Sequence, residues 1–189
     1  MKNMLRQHLV DRLGDNTDKI DEVISHFKIL RKKRNEMLLN QGEICKNVYF
    51  VARGCLQVFV YDAESNETTR DIVVENNWCS ELISFGNQTP SNENIRTVEI
   101  SELYYIDRQG FQKMMENVPQ FRNVYQQILE YSYANSVYRI NTFVALSSLE
   151  RIKWLMDNRP GLMSRLSGKL IASYLGISQE TFSRLKGKL

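Results

Sequence analysis

The apolar positions change their period twice along this chain. Over residues 4–27, Met4, Leu5, Leu9, Val10, Leu13, Ile20, Val23, Ile24 and Phe27 recur mostly three and four apart. That spacing predicts two short amphipathic helices, separated by a break at Gly14-Asp15-Asn16. From Phe27 to Ile106 the period shortens. The runs FKIL, EMLL, NVYFVA, CLQVFVY, TTRDIVV, IRTVEI and ELYYI alternate with turn-forming clusters at Gln41-Gly42-Glu43, Arg53-Gly54, Asp62 to Asn66 and Glu75-Asn76-Asn77. About seven or eight short strands at that regular spacing predict an antiparallel sandwich or roll. Phe85 to Asn92 interrupts them with loop chemistry, and such loops often carry binding sites.

After Asp107 the pattern turns helical and stays so. Pro119 suits a first helical position, and the stretch from Phe121 to Val144 contains neither Gly nor Pro. Its apolar residues fall into two stripes, Val124, Ile128, Tyr131 and Tyr138 on one side and Tyr125, Leu129, Tyr133, Val137 and Ile140 on the other. One stripe suffices to dock a helix on a sheet, so two imply a second partner, and the economical one is the same helix of another copy across a two-fold axis. Val124, Ile128, Tyr131 and Tyr138 are the residues assigned to that dimer helix, with Ile128 and Tyr131 at its seam. The competing reading is a helix buried wholly in its own chain.

Ser147-Ser148-Leu149-Glu150 has the spacing of a capping box and starts a new helix, placing a hinge at residues 146–148. Ile152, Trp154, Leu155 and Met156 form its expected buried side, and Asn158-Arg159-Pro160-Gly161 its stop. Next, Leu170, Ile171, Tyr174 and Leu175 make one helical face, Gly176 permits a tight turn, Ile177 plugs the corner, and Ser178 caps a second helix buried through Phe182 and Leu185. This is the pattern of a helix-turn-helix, with an ordinary helical hairpin as the alternative. Its second helix leaves Gln179, Glu180, Ser183, Arg184 and Lys186 outward, side chains that can pair with adenine, accept from cytosine or bind guanine bidentately.

Charge sharpens this picture. From Phe143 to Leu189 there are eight basic and three acidic residues, a net of +5, whereas the first 142 residues carry −2. A basic C-terminal segment on a slightly acidic body suits a nucleic-acid partner. Other chemistries find little support. No window approaches a membrane span and the charged N-terminus is unlike a signal peptide, which points to a cytoplasmic protein with no membrane partner. Cys45, Cys55 and Cys79 then read as reduced thiols, with a redox role open only for Cys79 beside the loop. With His8 and His26 the only histidines, no CxxC and no Gly-rich phosphate loop, no catalytic, metal or cofactor site is expected, and the chain does not read as an enzyme. Lys32-Lys33-Arg34 reads as a solvated turn, with DNA flanks or polymerase as its alternative partners.

Together the Asn40-Gln41-Gly42-Glu43 turn, the Val48 to Val58 hairpin and the Ile177 to Arg184 helix resemble the Crp/Fnr superfamily of bacterial transcription regulators, along nearly the whole chain. The resemblance implies an α+β fold. A jelly-roll-like, cyclic-nucleotide-binding-like antiparallel β-roll with cap helices would occupy residues 1–118, a dimerisation helix and hinge 119–146, and an all-α helix-turn-helix domain 147–189. It implies base contacts from Gln179, Glu180 and Arg184, with double-stranded DNA and a second copy as partners, RNA polymerase and a small-molecule effector being further ones.

Two departures matter. Relatives that bind cAMP carry Gly-Glu, whose Glu bonds the ribose, and then Arg-Ser or Arg-Thr before Ala, whose Arg neutralises the phosphate. Here Ser80-Glu81 and Ser91-Asn92-Glu93 stand in those places, and Arg96 is the nearby cation. An effector pocket of Ser80, Glu81, Ser91, Asn92 and Arg96 is therefore expected to be degenerate, with cAMP not its ligand. The chain also stops at Leu189 soon after the recognition helix, so a β-wing is expected to be lacking or nearly lacking. DNA phosphates would then fall to Lys169, Lys186, Lys188 and the Ser178-capped helix start. The alternative function is a small-molecule-sensing roll that works through protein contacts without DNA.

Overall fold

The computed structural model describes residues 2–13 and 17–189, so the break expected at Gly14-Asp15-Asn16 lies outside the described residues. The chain divides into two compact units. One takes the residues up to Val58 together with Ile72–Tyr131, and the other takes Phe59–Asp71 with Ser132–Leu189.

In the first unit, helices α1 (Lys2–Leu13) and α2 (Ile20–Ser25) precede the strands β1 (Lys28–Lys32), β2 (Met37–Leu39), β3 (Asn47–Arg53), β4 (Cys55–Tyr61), β5 (Glu67–Val74), β6 (Trp78–Cys79), β7 (Asn94–Thr97) and β8 (Ser101–Asp107). Two four-stranded sheets result, in the orders β1-β8-β3-β6 and β2-β7-β4-β5. The β3–β8 ladder is antiparallel and pairs Val48 with Ile106 and Val51 with Leu103. Phe50, Leu56, Ile95, Leu103 and Ile106 are fully buried and join both sheets in one core. The short runs read from the sequence thus form an antiparallel roll, in which β3 and β4 are buried along most of their length.

Three local differences from the sequence reading have physical causes. Val48 to Val58 is not a hairpin, because β3 and β4 belong to different sheets. At Gly54 (φ +101°) the chain crosses between them so close to β8 that an added Cβ would sit 2.7 Å from Ser101 Cα. The loop expected from Phe85 begins as a helix, α3 (Leu82–Asn87), which Glu81 caps by accepting from the Ile83 and Ser84 N–H groups. Pairing also recruits β6, a strand too short for periodicity to reveal.

Helix α1 is pinned by a buried histidine. Trp78 Nε1 donates to His8 Nε2 at 2.8 Å, so His8 Nδ1 carries the proton and donates to Asn76 Oδ1 at 2.8 Å. Burial holds this imidazole neutral, with its pKa lowered to about 4.

Helix α4 (Arg108–Asn117), capped by Asp107, follows the roll and leads into α5 (Pro119–Ala145). Met114 and Val118, with Phe121, Val124 and Ile128 from the first half of α5, complete the roll's core. Val124 and Ile128, assigned above to a contact between copies, therefore fill their own chain's interior. Tyr131 and Tyr138 are exposed.

The second unit contains the later half of α5 with α6 (Ser148–Asn158), α7 (Leu162–Arg165), α8 (Gly168–Leu175) and α9 (Gln179–Lys186), and the tip of the β4–β5 hairpin. The capping box forms as read: Glu150 N–H donates to Ser147 Oγ and Ser147 N–H to Glu150 Oε2. Of the four residues expected on the inner side of α6, Ile152 and Leu155 are buried. Met156 is exposed, and Trp154 is half-buried with its indole N–H on the Tyr138 hydroxyl, because only the i, i+3 pair points inward.

Candidate nucleic-acid interface

Helix α8 starts at Ser167, whose hydroxyl accepts from Leu170 N–H, and ends at Gly176 in the left-handed region (φ +65°). There the Ile177 N–H reaches back to the Ala172 carbonyl at 3.0 Å, closing a Schellman-type turn. An added Cβ at Gly176 would lie 2.8 Å from the Phe143 ring, so conformation and space both require glycine. Ser178 then caps α9 by accepting from Thr181 N–H. Phe182 is the buried anchor of α9, packed where a Cβ on Gly168 would touch its ring at 3.4 Å.

That packing leaves Gln179, Glu180, Ser183 and Arg184 lining one open surface depression. The bond from its own backbone N–H, and then the Ser178 hydroxyl, hold the Glu180 carboxyl below its usual range, so it is an anion at the helix start at neutral pH. Ser178, Lys169, Lys186 and Lys188 are also exposed, with the Lys186 ammonium 5.9 Å from the Phe182 ring centroid. The helix-turn-helix read from the sequence is present, and the residues assigned to base and phosphate contact are outward and accessible.

Spacing revealed nothing of the arginines behind this surface. Arg151 donates to three carbonyls, Leu146, Phe143 and Leu175, tying the start of α6 to the ends of α5 and α8. Arg139 lies with its guanidinium carbon 4.0 Å from the Tyr174 ring centroid and donates to the Tyr174 carbonyl at 3.0 Å. In the sequence they register only as charge.

The residues assigned to an effector pocket are in the first unit, and four of them, Ser80, Glu81, Ser91 and Arg96, are hydrogen-bonded within it. Ser91 is buried. Its backbone exchanges bonds with Gly42 and Glu43, and its hydroxyl accepts from Glu93 N–H and donates to the Glu93 carbonyl. Glu81 caps α3, its carboxylate accepting from the Ile83 and Ser84 N–H groups. Ser80 Oγ donates to the Asn47 carbonyl at 3.1 Å, and Asn92 is exposed. Arg96 Nε donates to Oε1 of the buried Gln57 at 2.9 Å, across to β4. Arg108, which sequence reasoning passed over, donates to the Phe85 and Gly86 carbonyls at the end of α3. Among the described residues no group of His, Cys, Asp and Glu could hold a metal ion, and no helix is long and apolar enough to cross a membrane.

Residues 29–118 match the family model described as the cyclic nucleotide-binding domain. Along most of its length the chain superposes on solved structures. The c-di-GMP responsive global regulator CLP of Xanthomonas campestris aligns with TM-score 0.73 and 18% identity, covering 90% of this chain and 89% of CLP. FixK2 of Bradyrhizobium japonicum gives 0.74 and 14%, covering 86% and 84%. A protein of Eubacterium rectale assigned to the Crp/Fnr family of transcriptional regulators gives 0.70 and 15%, covering 90% and 81%. No curated protein sequence matches the chain. At these identities the likeness is one of fold, and at that level the resemblance drawn from the motifs holds.

Proposed function

We propose that this chain, which carries a cyclic nucleotide-binding domain over residues 29–118 in the architecture of the Crp/Fnr regulators, is a dimeric, sequence-specific DNA-binding transcription regulator. The observation that carries the reading is the helix-turn-helix with Gln179, Glu180, Ser183 and Arg184 together on one open face of α9. The basic C-terminal segment supplies the electrostatic attraction. In functional terms residues 1–118 form the sensing roll, 119–146 the dimerisation helix and hinge, and 147–189 the DNA-reading domain.

Dimerisation is supported by the exposed apolar residues of α5. Tyr133, Val137, Ile140 and Val144 follow one another at four, three and four residues and are 72%, 37%, 61% and 82% exposed. A stripe of that period is a coiled-coil seam, and a second copy of the same helix would cover it about a two-fold axis. On this reading the seam is Tyr133, Val137, Ile140 and Val144 rather than Val124 and Ile128, which are buried in their own chain.

The roll does not fit a cyclic nucleotide. A buried phosphate needs a cation or several aimed N–H groups. The Ser91 hydroxyl is bonded to Glu93 within the loop and its backbone to Gly42 and Glu43, the Glu81 carboxylate caps α3, and Arg96 is held by Gln57. Selection from random duplex DNA tests the function: it returns a roughly palindromic site with half-sites about one helical turn apart, because two α9 helices related by a dyad enter successive major grooves. Recovery of asymmetric single half-sites only would refute the dimer, and recovery of no sequence would favour a roll that acts through protein contacts.

A further inference from the structure

The tip of the β4–β5 hairpin groups with the helix-turn-helix as one compact unit, and the contact between them is polar and specific. In its sheet β5 is the outermost strand, whose free edge would leave backbone groups in need of partners. At Thr69, which is only 2% exposed, both backbone groups find them outside the ladder. The Thr69 N–H donates to Ser173 Oγ at 2.9 Å, and the Thr69 carbonyl accepts from Arg139 Nη2 at 3.3 Å. Ser173 also donates to the Glu67 carbonyl at 3.0 Å, and its oxygen pairs with the Thr69 hydroxyl at 2.9 Å. The other Arg139 nitrogen has the Asp71 carboxylate at 3.9 Å.

Ser173 stands in the middle of α8, a position where serine weakens a helix relative to alanine, flanked by the buried Ala172 and Tyr174. Arg139 is the half-buried residue in an otherwise exposed stretch of α5 from Tyr131 to Asn141. Both residues run against the local trend of their helices, and both meet at one peptide segment of the hairpin.

We infer that Ser173 and Arg139 are positioning residues, which clip the edge strand β5 to α8 and so set the orientation in which α9 meets DNA. The inference rests on the DNA-binding function proposed above. Helix α9 follows α8 as a rigid piece, because the Gly176 turn and the Phe182–Gly168 packing join them. The clip grips α8 at Ser173 and Tyr174 and leaves Gln179, Glu180, Ser183 and Arg184 open, so it favours the reading surface rather than covering it. Neither clip residue needs to touch a phosphate for this role.

The test uses the full chain and a duplex selected by the wild type. Ser173→Ala raises helix propensity while deleting the hydroxyl, so loss of fold is not the expected outcome. Arg139→Gln removes the other arm. Each variant should exchange the amide hydrogens of the 66–71 segment at least about tenfold faster and bind the duplex about three- to tenfold more weakly. The slope of log affinity against log salt should stay unchanged, since no phosphate contact is lost. The double variant should bind little worse than either single one, because both arms hold the same strand. Unchanged exchange would show that no clip exists. Faster exchange with unaltered DNA affinity would show that the clip does not position α9, and tighter binding would make it a restraint. A slope lowered by about 0.9 in Arg139→Gln would place that arginine on a phosphate, against the proposal. If the wild type selects no DNA, the functional reading has failed and the positioning role falls with it, while the exchange rates still report separately on the clip.

Discussion

His8 couples stability to pH. In the unfolded chain an imidazole titrates near 6.5, whereas in the folded protein burial lowers that value to about 4. The native state therefore binds the proton less well. Its stabilisation is fully present above pH 6.5 and is lost as pH falls from about 6.5 to 4, since the unfolded state takes up the proton first. Between pH 7 and pH 5 the urea-unfolding free energy should drop by about 2 kcal/mol on this account. His8→Phe should remove that part of the pH dependence, and an unaltered profile would assign it to other groups. The residues of α9 divide by a different measurement. Arg184→Ala should cost about 1–3 kcal/mol of binding and relax one base position. Lys188→Ala should weaken all sequences alike and lower the salt slope by about 0.9, as titrations at several ionic strengths would read.

At the scale of the element, α5 changes its environment along its length. Val124 and Ile128 are interior, whereas Tyr133, Val137, Ile140 and Val144 face outward. A lysine should therefore act in two different ways. Ile140→Lys should give a folded monomer with much weaker operator binding, because the charge blocks only the seam. Ile128→Lys should destabilise the roll itself, by on the order of 3 kcal/mol or more, because it buries an unpaired ammonium. Sedimentation with thermal melting separates the two, and a dimer that persists in Ile140→Lys would move the interface elsewhere. The stripes were legible from periodicity, but both repeat at helical spacing, and nothing local says how far along α5 its own chain's core extends.

At the scale of the whole molecule the effector is the open term. A pocket in which Ser91 and Glu81 are bonded to neighbouring backbone and Arg96 to Gln57 should return no heat with cAMP or cGMP in calorimetry. A micromolar dissociation constant abolished by Arg96→Ala would instead show a relocated phosphate site, with Arg96 released from Gln57. The charge asymmetry belongs to this scale too, because the DNA association proposed above would depend on the summed field of the C-terminal segment more than on any one pair.

The features that the sequence by itself determined are those whose causes lie within about four residues. The Ser147–Glu150 capping box, the Gly176 turn and the Ser178 cap each join near neighbours, and each appears where the spacing puts it. The outward face of α9 follows from Phe182 and Leu185 on its inner side, of which Phe182 is buried and Leu185 half-buried. Only the tertiary structure decided the matters that turn on distant partners. These are the passage from one sheet to the other at Gly54, the commitment of Arg96 to Gln57, the burial of Val124 and Ile128, and the meeting of Ser173 and Arg139 at Thr69. A side chain's local pattern states that it has a face to bury or a proton to give. The chain's path through space determines what stands opposite it.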